Sequence, residues 1–578
     1  MRLDLLSPAS CLAIVLTVSV AAANTSAATP LWPSPLRLGV QPAESIGTHL
    51  TLDAAALEPL RLSDPFVLTG FPLDATRTLE LDLHRVEAFA PDAVLVVKAD
   101  GGQRLVPRPD VLLLSGQVVG TGDSWAFLSF GPQGVNGLID TCEGRFVLSS
   151  GPPGAARDPV IYNLTALPEG AIQIDPFVCA ADQLPQLRKS ASGGHATRGT
   201  PPCRIATVAV ETDYEYRQLW GNDAGATAYA ATLFGAISEV YTRDVNTRVQ
   251  VGFLRLWSTP ADPWTRGNTI DQLFEFQDYW NANMTNIERN AAHFLSGRGL
   301  GGGVAYLPGL CWPNYDYGLS ANLAGFFPYP VQNNHSQNWD LMVVAHELGH
   351  NFGAPHTHEM TPPVDCCGGA YGGDCDGQQD CSVTPNGTIM SYCHLCPGGM
   401  TNVRMELHVR TVNEGILPYL DDPNTVARCD LELPPPAITD PPDNAAVCVG
   451  GPASFTVGAD GGTLSYQWRH DGLDIPGATG PTYSIPAAVP DDAGSYDVVV
   501  SNECGSTVSS PATLTVCTPD NPADLDGDCT VGLADLAALL AHYGTTSGAT
   551  HADGDVDGDG DVDLEDLAAL LANYGDSC

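Results

Sequence analysis

Basic residues are scarce in this chain: 25 Lys and Arg stand against 67 Asp and Glu, a formal net charge of -42. Such a surface repels phosphate-bearing partners, so nucleic acid and anionic membrane are excluded as ligands. Long apolar runs are also missing. The run Leu12 to Val20 is too short to span a bilayer, and no later stretch reaches that length. It follows Arg2 and precedes Ala21, Ala22 and Ala23. That order predicts a secretory signal over 1–28, cleaved after Ala23 or Ala28, with no membrane span and an extracellular product. The stretch 29–198 lacks any catalytic signature and shows alternating strand-like runs instead, such as Ala93–Ala99, Val111–Val119 and Trp125–Phe130. The last stretch, 517–578, has no Lys or Arg at all.

With 578 residues the chain is too long for one core, so several domains are expected. Of its 17 cysteines Cys11 leaves with the signal. The rest are even in number and read as disulfides in an oxidising compartment. Cys366, Cys367, Cys375, Cys381, Cys393 and Cys396 fall in Gly-rich loops with too little core of their own, where disulfides are the expected staple and a second metal site the rival.

The most specific run is His346-Glu347-Leu348-Gly349-His350-Asn351-Phe352-Gly353-Ala354-Pro355-His356, which reads H-E-x-x-H-x-x-G-x-x-H. One helical turn sets His346 and His350 on a common face. Gly353 tolerates the positive φ of a sharp turn, which brings His356 back as a third ligand. Three protein ligands leave zinc an open position, the arrangement of a catalytic site. Glu347 stands beside the first ligand, where it can serve as general base.

Downstream, Thr388-Ile389-Met390-Ser391-Tyr392 resembles the Met-turn of metzincins, with Met390 as a soft floor under the imidazoles. On these two motifs, 199–432 resembles an α/β metzincin catalytic domain of the adamalysin/reprolysin type, in which Asn351 is a common residue. Two positions depart from that family. Thr357 stands where adamalysins usually have Asp, and Tyr392 is more like the metal-approaching tyrosine of astacins and serralysins. The resemblance implies peptide hydrolysis by zinc-activated water, with one zinc on His346, His350 and His356 and Glu347 as base. Tyr392 then either donates a hydrogen bond to the oxyanion or is a pocket wall. His335, His358 and His394 read as pocket or loop residues. The resemblance also makes Gly303 to Leu307 the sheet edge that pairs with an extended substrate. It makes 29–198 a β-rich prodomain in a zymogen, the alternative being a permanent N-terminal β domain. Cys179 is then either a cysteine switch on the open zinc position or half of a Cys142–Cys179 disulfide. The basic stretch around Arg188, Lys189 and Arg198 reads as a protease-sensitive linker.

Within 199–432 the patterns predict strands at Ile205–Val210, Val249–Trp257 and Gly301–Leu307, and helices at Ala224–Tyr241 and Thr269–Leu295. Pro434, Pro435 and Pro436 open a stiff linker. The following stretch within 433–516 resembles an all-β Ig-like sandwich, with Trp468 as its buried tryptophan and Asp492 to Tyr496 as its tyrosine corner. Val457 and Val498 stand where its cysteines would be, and Cys448 and Cys504 are expected to pair elsewhere in that domain. The tail 517–578 repeats itself. Asp524, Asp526, Asp528 and Asp535, then Asp555, Asp557, Asp559 and Asp566, each form a calcium loop followed by a Leu/Ala helix. It resembles a small α-helical dockerin-like module holding two calcium ions, which implies a cohesin-like partner. A self-contained calcium staple is the alternative. A bacterial secreted origin follows from that likeness, and the Asn386 sequon then carries no weight.

The function so read is a secreted zinc metalloendopeptidase acting on proteins or peptides. The competing class is a catalytically inert binding or adhesion protein working through its Ig-like and dockerin-like modules. Intact His346, Glu347, His350 and His356 argue against that.

Overall fold

In the computed structural model the described residues are 29–575 except 43–45, 123, 154–157, 168–172, 175–177, 186–202, 329–335, 338–339, 370–374, 376, 383–386, 430, 463, 503 and 518–520. The expected signal, the linker around Arg188, Lys189 and Arg198, His335 and Asn386 lie outside them. The chain divides into two compact units, one ending at Glu432 and one beginning at Leu433.

Strand alternation builds the first part of the first unit. Leu112–Val118, Trp125–Gly131, Gly134–Thr141 and Gly144–Ser149 are neighbours in a ten-stranded sheet that also takes in Phe66–Pro72, Thr78–Arg85 and Val160–Asn163. Successive side chains point to opposite faces. Leu112, Leu114, Ala126 and Leu128 therefore enter one core. Leu113, Phe127, Leu138 and Val147 enter another, shared with residues from beyond 200. Both faces are buried, which is why these strands are almost wholly apolar.

The second sheet has eight strands. From one edge their order is Val178–Cys179, Gly302–Ala305, Tyr317–Ser320, Ala291–Leu295, Arg204–Thr212, Thr247–Trp257, Phe89–Ala99 and Gly102–Leu105. Gly302–Ala305 is antiparallel to Tyr317–Ser320. Phe89–Ala99 runs parallel to Thr247–Trp257, with Leu95 opposite Leu254 and Val97 opposite Leu256. The stretch before 198 thus contributes strands to the same sheet as the stretch after it.

The helix expected over Thr269–Leu295 ends at Asn283, and Ala291–Leu295 is an interior strand, all five residues of it buried. A short apolar run that is buried on both faces has no period to separate strand from helix. The polar break Thr285 to Asn290 was the usable signal. The helix Asp223–Val245 is capped by Asn222, whose side chain accepts from the Gly225 N–H, and closed by Asn246 in the left-handed region. It is buried nearly all round, because the eight-stranded sheet covers one flank and the ten-stranded sheet the other.

Four disulfides pin the later loops of this unit: Cys311–Cys429, Cys366–Cys375, Cys367–Cys393 and Cys381–Cys396.

In the second unit, Ser465–His470 pairs with Gly494–Asn502 over a core holding Phe455, Val457, Trp468 and Val498. The Trp468 indole N–H donates to the Gly480 carbonyl at 3.0 Å and the Tyr496 hydroxyl to the Asp492 carbonyl at 2.8 Å. Cys448 pairs with Cys529, not within the stretch 433–516. Sequence spacing does not show this, because the bridge joins residues 81 apart. Two helices, Leu533–His542 and Leu564–Ala572, bury Leu539 and Leu570 in a small core.

Candidate active site

The fully buried helix Asp340–Asn351 carries the first two motif histidines, ring centroids 4.9 Å apart. Its first residue, Asp340, accepts from the Gly325 N–H at 2.8 Å and the Tyr229 hydroxyl at 2.9 Å, which fixes the helix start. Gly353 then turns with φ of 95°. A Cβ there would come within 2.9 Å of Tyr419 Cβ, so dihedral and space both call for glycine. The turn returns His356, whose ring lies 4.5 Å from that of His350 and 5.2 Å from that of His346.

Each imidazole is held from behind. His346 Nδ1 meets the Ile389 carbonyl at 2.7 Å, His350 Nδ1 the Ala354 carbonyl at 2.8 Å, and His356 Nδ1 a Glu359 carboxylate oxygen at 3.0 Å. Those partners only accept, so Nδ1 carries the proton and Nε2 keeps its lone pair. Burial, then the neighbouring His350 and His356, push His346 well below the ordinary imidazole pKa, which keeps it neutral. The Nε2 atoms of His350 and His356 converge to 3.1 Å. Two nitrogens on one tetrahedral zinc at ~2.0–2.1 Å stand roughly 3.3 Å apart, so this donor set fits the ion. The ligand atoms of His346, His350, His356 and Cys179 all lie within 4.8 Å of one another, all four residues buried.

Cys179 arrives from the far side. Val178 and Cys179 pair in parallel with Gly302 and Gly303. The Cys179 thiol donates to Glu347 Oε2 at 3.3 Å and accepts from the Ala181 N–H at 3.3 Å. A Cβ on Gly303 would collide with the Glu347 carboxylate, so glycine at that edge makes room for it. Cys179 is a thiol, while Cys142 is in a disulfide, which overturns the Cys142–Cys179 pairing.

Tyr392 is buried with its ring 4.8 Å from that of His356, and its hydroxyl donates to the Cys179 carbonyl at 3.1 Å. Met390 lies below the motif helix, its Sδ 2.5 Å from where a Cβ on Gly349 would stand. The Met390 carbonyl accepts from the Thr357 N–H at 3.1 Å and its hydroxyl at 3.3 Å, so the departure at Thr357 still ties third ligand to Met390. His358 stacks on His356 at 5.1 Å and His394 flanks Tyr392 at 5.9 Å, both outside the converging set.

Residues 203–403 match Reprolysin_5, metallo-peptidase family M12. The match spans the motif, Met390 and Tyr392, and leaves out Cys179. The chain is 28% identical over 159 residues to disintegrin and metalloproteinase domain-containing protein 1 of Rattus norvegicus, covering 26% of this chain and 18% of that protein. It is 26% identical over 162 residues to snake venom metalloproteinase TM-1 of Protobothrops mucrosquamatus, covering 27% of this chain and 74% of that one. The chain thus spans about a fifth of the length of the first relative, 18%. Among solved structures, titin domains Z1Z2 in complex with telethonin share 25% identity over 15% of this chain and 50% of that one at a TM-score of 0.14, too low to carry an argument. These likenesses support a reprolysin-like metalloprotease.

Glu359 was missed by sequence reasoning. Burial opposes its ionisation, but the hydrogen bond from His356 Nδ1 holds its carboxyl down to about 2. A Glu three residues past the last ligand, able to cap the short turn after it, was the available signal. Asn351 likewise plays a structural part. Its side chain donates to the carbonyls of Tyr306 at 3.2 Å and Tyr317 at 3.1 Å, tying the motif helix to the sheet edge.

In the tail, Asp524, Asp526 and Asp528 come together, and so do Asp555, Asp557 and Asp566. Asp535 instead accepts from the backbone N–H groups of Leu525 at 2.7 Å and Gly532 at 2.7 Å, and Asp559 lies outside the second group.

Proposed function

We propose that this chain is a secreted zinc metalloendopeptidase made as a zymogen, with Cys179 as its latch. The observation that carries the reading is the convergence of three Nε2-presenting histidines and one thiol beside Glu347. His346, His350 and His356 would hold zinc, and Cys179 would fill the fourth position in the latent form. Zinc, when bound, supplies a Lewis acid that polarises the scissile carbonyl and acidifies water. Glu347 takes the water proton and passes it to the leaving amine. Its carboxylate is aimed by the space that Gly303 leaves open. The strand Gly302–Ala305 offers backbone groups to an extended peptide, as it does here to Val178 and Cys179, so recognition is largely indifferent to sequence. Tyr392 already donates to a main-chain carbonyl at this site. A substrate carbonyl could take that place once Val178 and Cys179 are displaced.

The second unit is read as an Ig-like domain followed by a dockerin-like module with two calcium ions. Leu533 and Leu564, Leu540 and Leu571, and Tyr543 and Tyr574 are repeat-equivalent and all exposed. A duplicated apolar patch of this kind suits a cohesin-like partner. Binding to a cohesin panel with calcium and with chelator tests it against a self-contained staple.

The activity is tested on casein with intact protein, Cys179→Ala and Glu347→Ala, assaying zinc in each. Cleavage enhanced in Cys179→Ala and abolished in Glu347→Ala, with zinc retained, supports the reading. Zinc absent and casein uncut in all three would leave the inert binding class.

A further inference from the structure

We propose that the N-terminal domain, 31–164, is a lasting partner of the catalytic domain and stays docked when the chain is cut in the 186–198 stretch. Three observations carry this. The first is sheet continuity. Phe89–Ala99 pairs with Thr247–Trp257 from Val251 opposite Phe89 to Trp257 opposite Lys98. Its withdrawal would turn an interior strand into a bare edge, a template for aggregation. The second is the helix Asp223–Val245, whose outer flank is apolar and packs against Leu113 and Phe127 of the ten-stranded sheet. The fit is close enough that a Cβ on Gly235 would stand 2.7 Å from Leu113 Cδ1. An uncovered flank of that kind would be a large exposed apolar patch.

The third is polar satisfaction across the contact. The Ser129 and Thr232 hydroxyls lie 2.7 Å apart, the Ser149 hydroxyl donates to the Phe327 carbonyl at 2.7 Å, the Tyr162 hydroxyl to the Pro328 carbonyl at 2.6 Å, and Arg145 to the Val403 carbonyl. Ser129, Ser149, Tyr162 and Arg145 are all buried. Separation exposes these groups together with the apolar flank, so docking resembles a domain interior rather than a transient contact. The partner this surface fits is therefore the chain's own severed domain. A corollary concerns latency and rests on the Cys179 reading: a cut after 186 leaves Cys179 on the docked half, so that cut alone does not activate.

The test uses the full chain with a site for a sequence-specific protease inserted between Ser190 and Ala196. Cys142 is disulfide-bonded, so the cut is also made in a Cys142→Ser background, where co-elution reads docking rather than a bridge. After cutting and dilution, size-exclusion should return both pieces in one peak. Gly235→Val should lower the retained fraction, weakening docking roughly 10-fold or more by overpacking. Two separate peaks in the Cys142→Ser background would overturn the proposal. Co-eluting pieces that nevertheless cleave casein would support the docking and count against Cys179 as the latch, so the two readings fail separately.

Discussion

The histidine cluster and the tail loops both gather metal-ligating side chains, by opposite means. The cluster joins three histidines of one short motif to a cysteine from a remote strand, buries all four and fixes each imidazole through an acceptor behind it. The tail loops gather carboxylates that are neighbours in sequence, leave several exposed and hold them with their own backbone N–H groups, as Asp524 is held by those of Gly527 and Cys529. The first arrangement depends on the fold around it, since Ile389, Ala354 and Glu359 supply the acceptors that hold the rings. The second is proposed to depend on calcium to offset repulsion among acids that have no Lys or Arg near them in sequence. The first is proposed as a place for chemistry, the second as a staple or a docking face.

The sharpest break falls on the cluster's packing. Gly303→Ala should push the Glu347 carboxylate aside and lower kcat about 100-fold while zinc content holds, since small misplacements of a catalytic group cost that much. Kinetics beside a zinc assay check it. Glu359→Ala should weaken zinc binding ~10- to 100-fold by releasing His356 Nδ1, with Glu359→Gln recovering part, as a chelator competition would show. An unchanged affinity would mean that the partner behind His356 does not matter. On the tail side, Asp524→Ala with Asp555→Ala should abolish the calcium-dependent gain in helical circular dichroism. Activity should stay within about twofold, because the residues proposed for catalysis all lie before Glu432. Activity lost with calcium binding would end the contrast between the two regions.

The smallest effect concerns pH. Burial pushes Asp340 up to about 7, against the pull of its Ala324, Gly325 and Tyr229 hydrogen bonds. Its folded value lies above its unfolded one. The stability it contributes is therefore complete below about 4 and is lost as pH rises through about 7. Tm should fall by ~2–4 °C between pH 5 and 8 for this reason, and Asp340→Asn should flatten that part of the profile. An equal slope in both proteins would contradict the assignment.

What could be read from the sequence follows the same division. His346, Glu347, His350, Gly353 and His356 are local in sequence, so spacing alone showed how a helix and a turn bring them together. Glu359 was hidden because a carboxylate three residues on looks like any solvated acid until the ring it holds is placed. Ala291–Leu295 was misread because burial on both faces erases periodicity. The sharing of one sheet by Phe89–Ala99 and Thr247–Trp257 joins residues about 160 apart and leaves no local mark. The Cys448–Cys529 bridge was illegible for the same reason.

A latent zinc site closed by Cys179 is tested most sharply by X-ray absorption at the zinc edge, on the intact chain and on Cys179→Ala. Three nitrogens at ~2.0–2.1 Å and one sulfur at ~2.3 Å are expected in the intact chain, with the sulfur shell gone in the variant. Bound zinc with no sulfur in the intact chain, or no zinc at all, would contradict it.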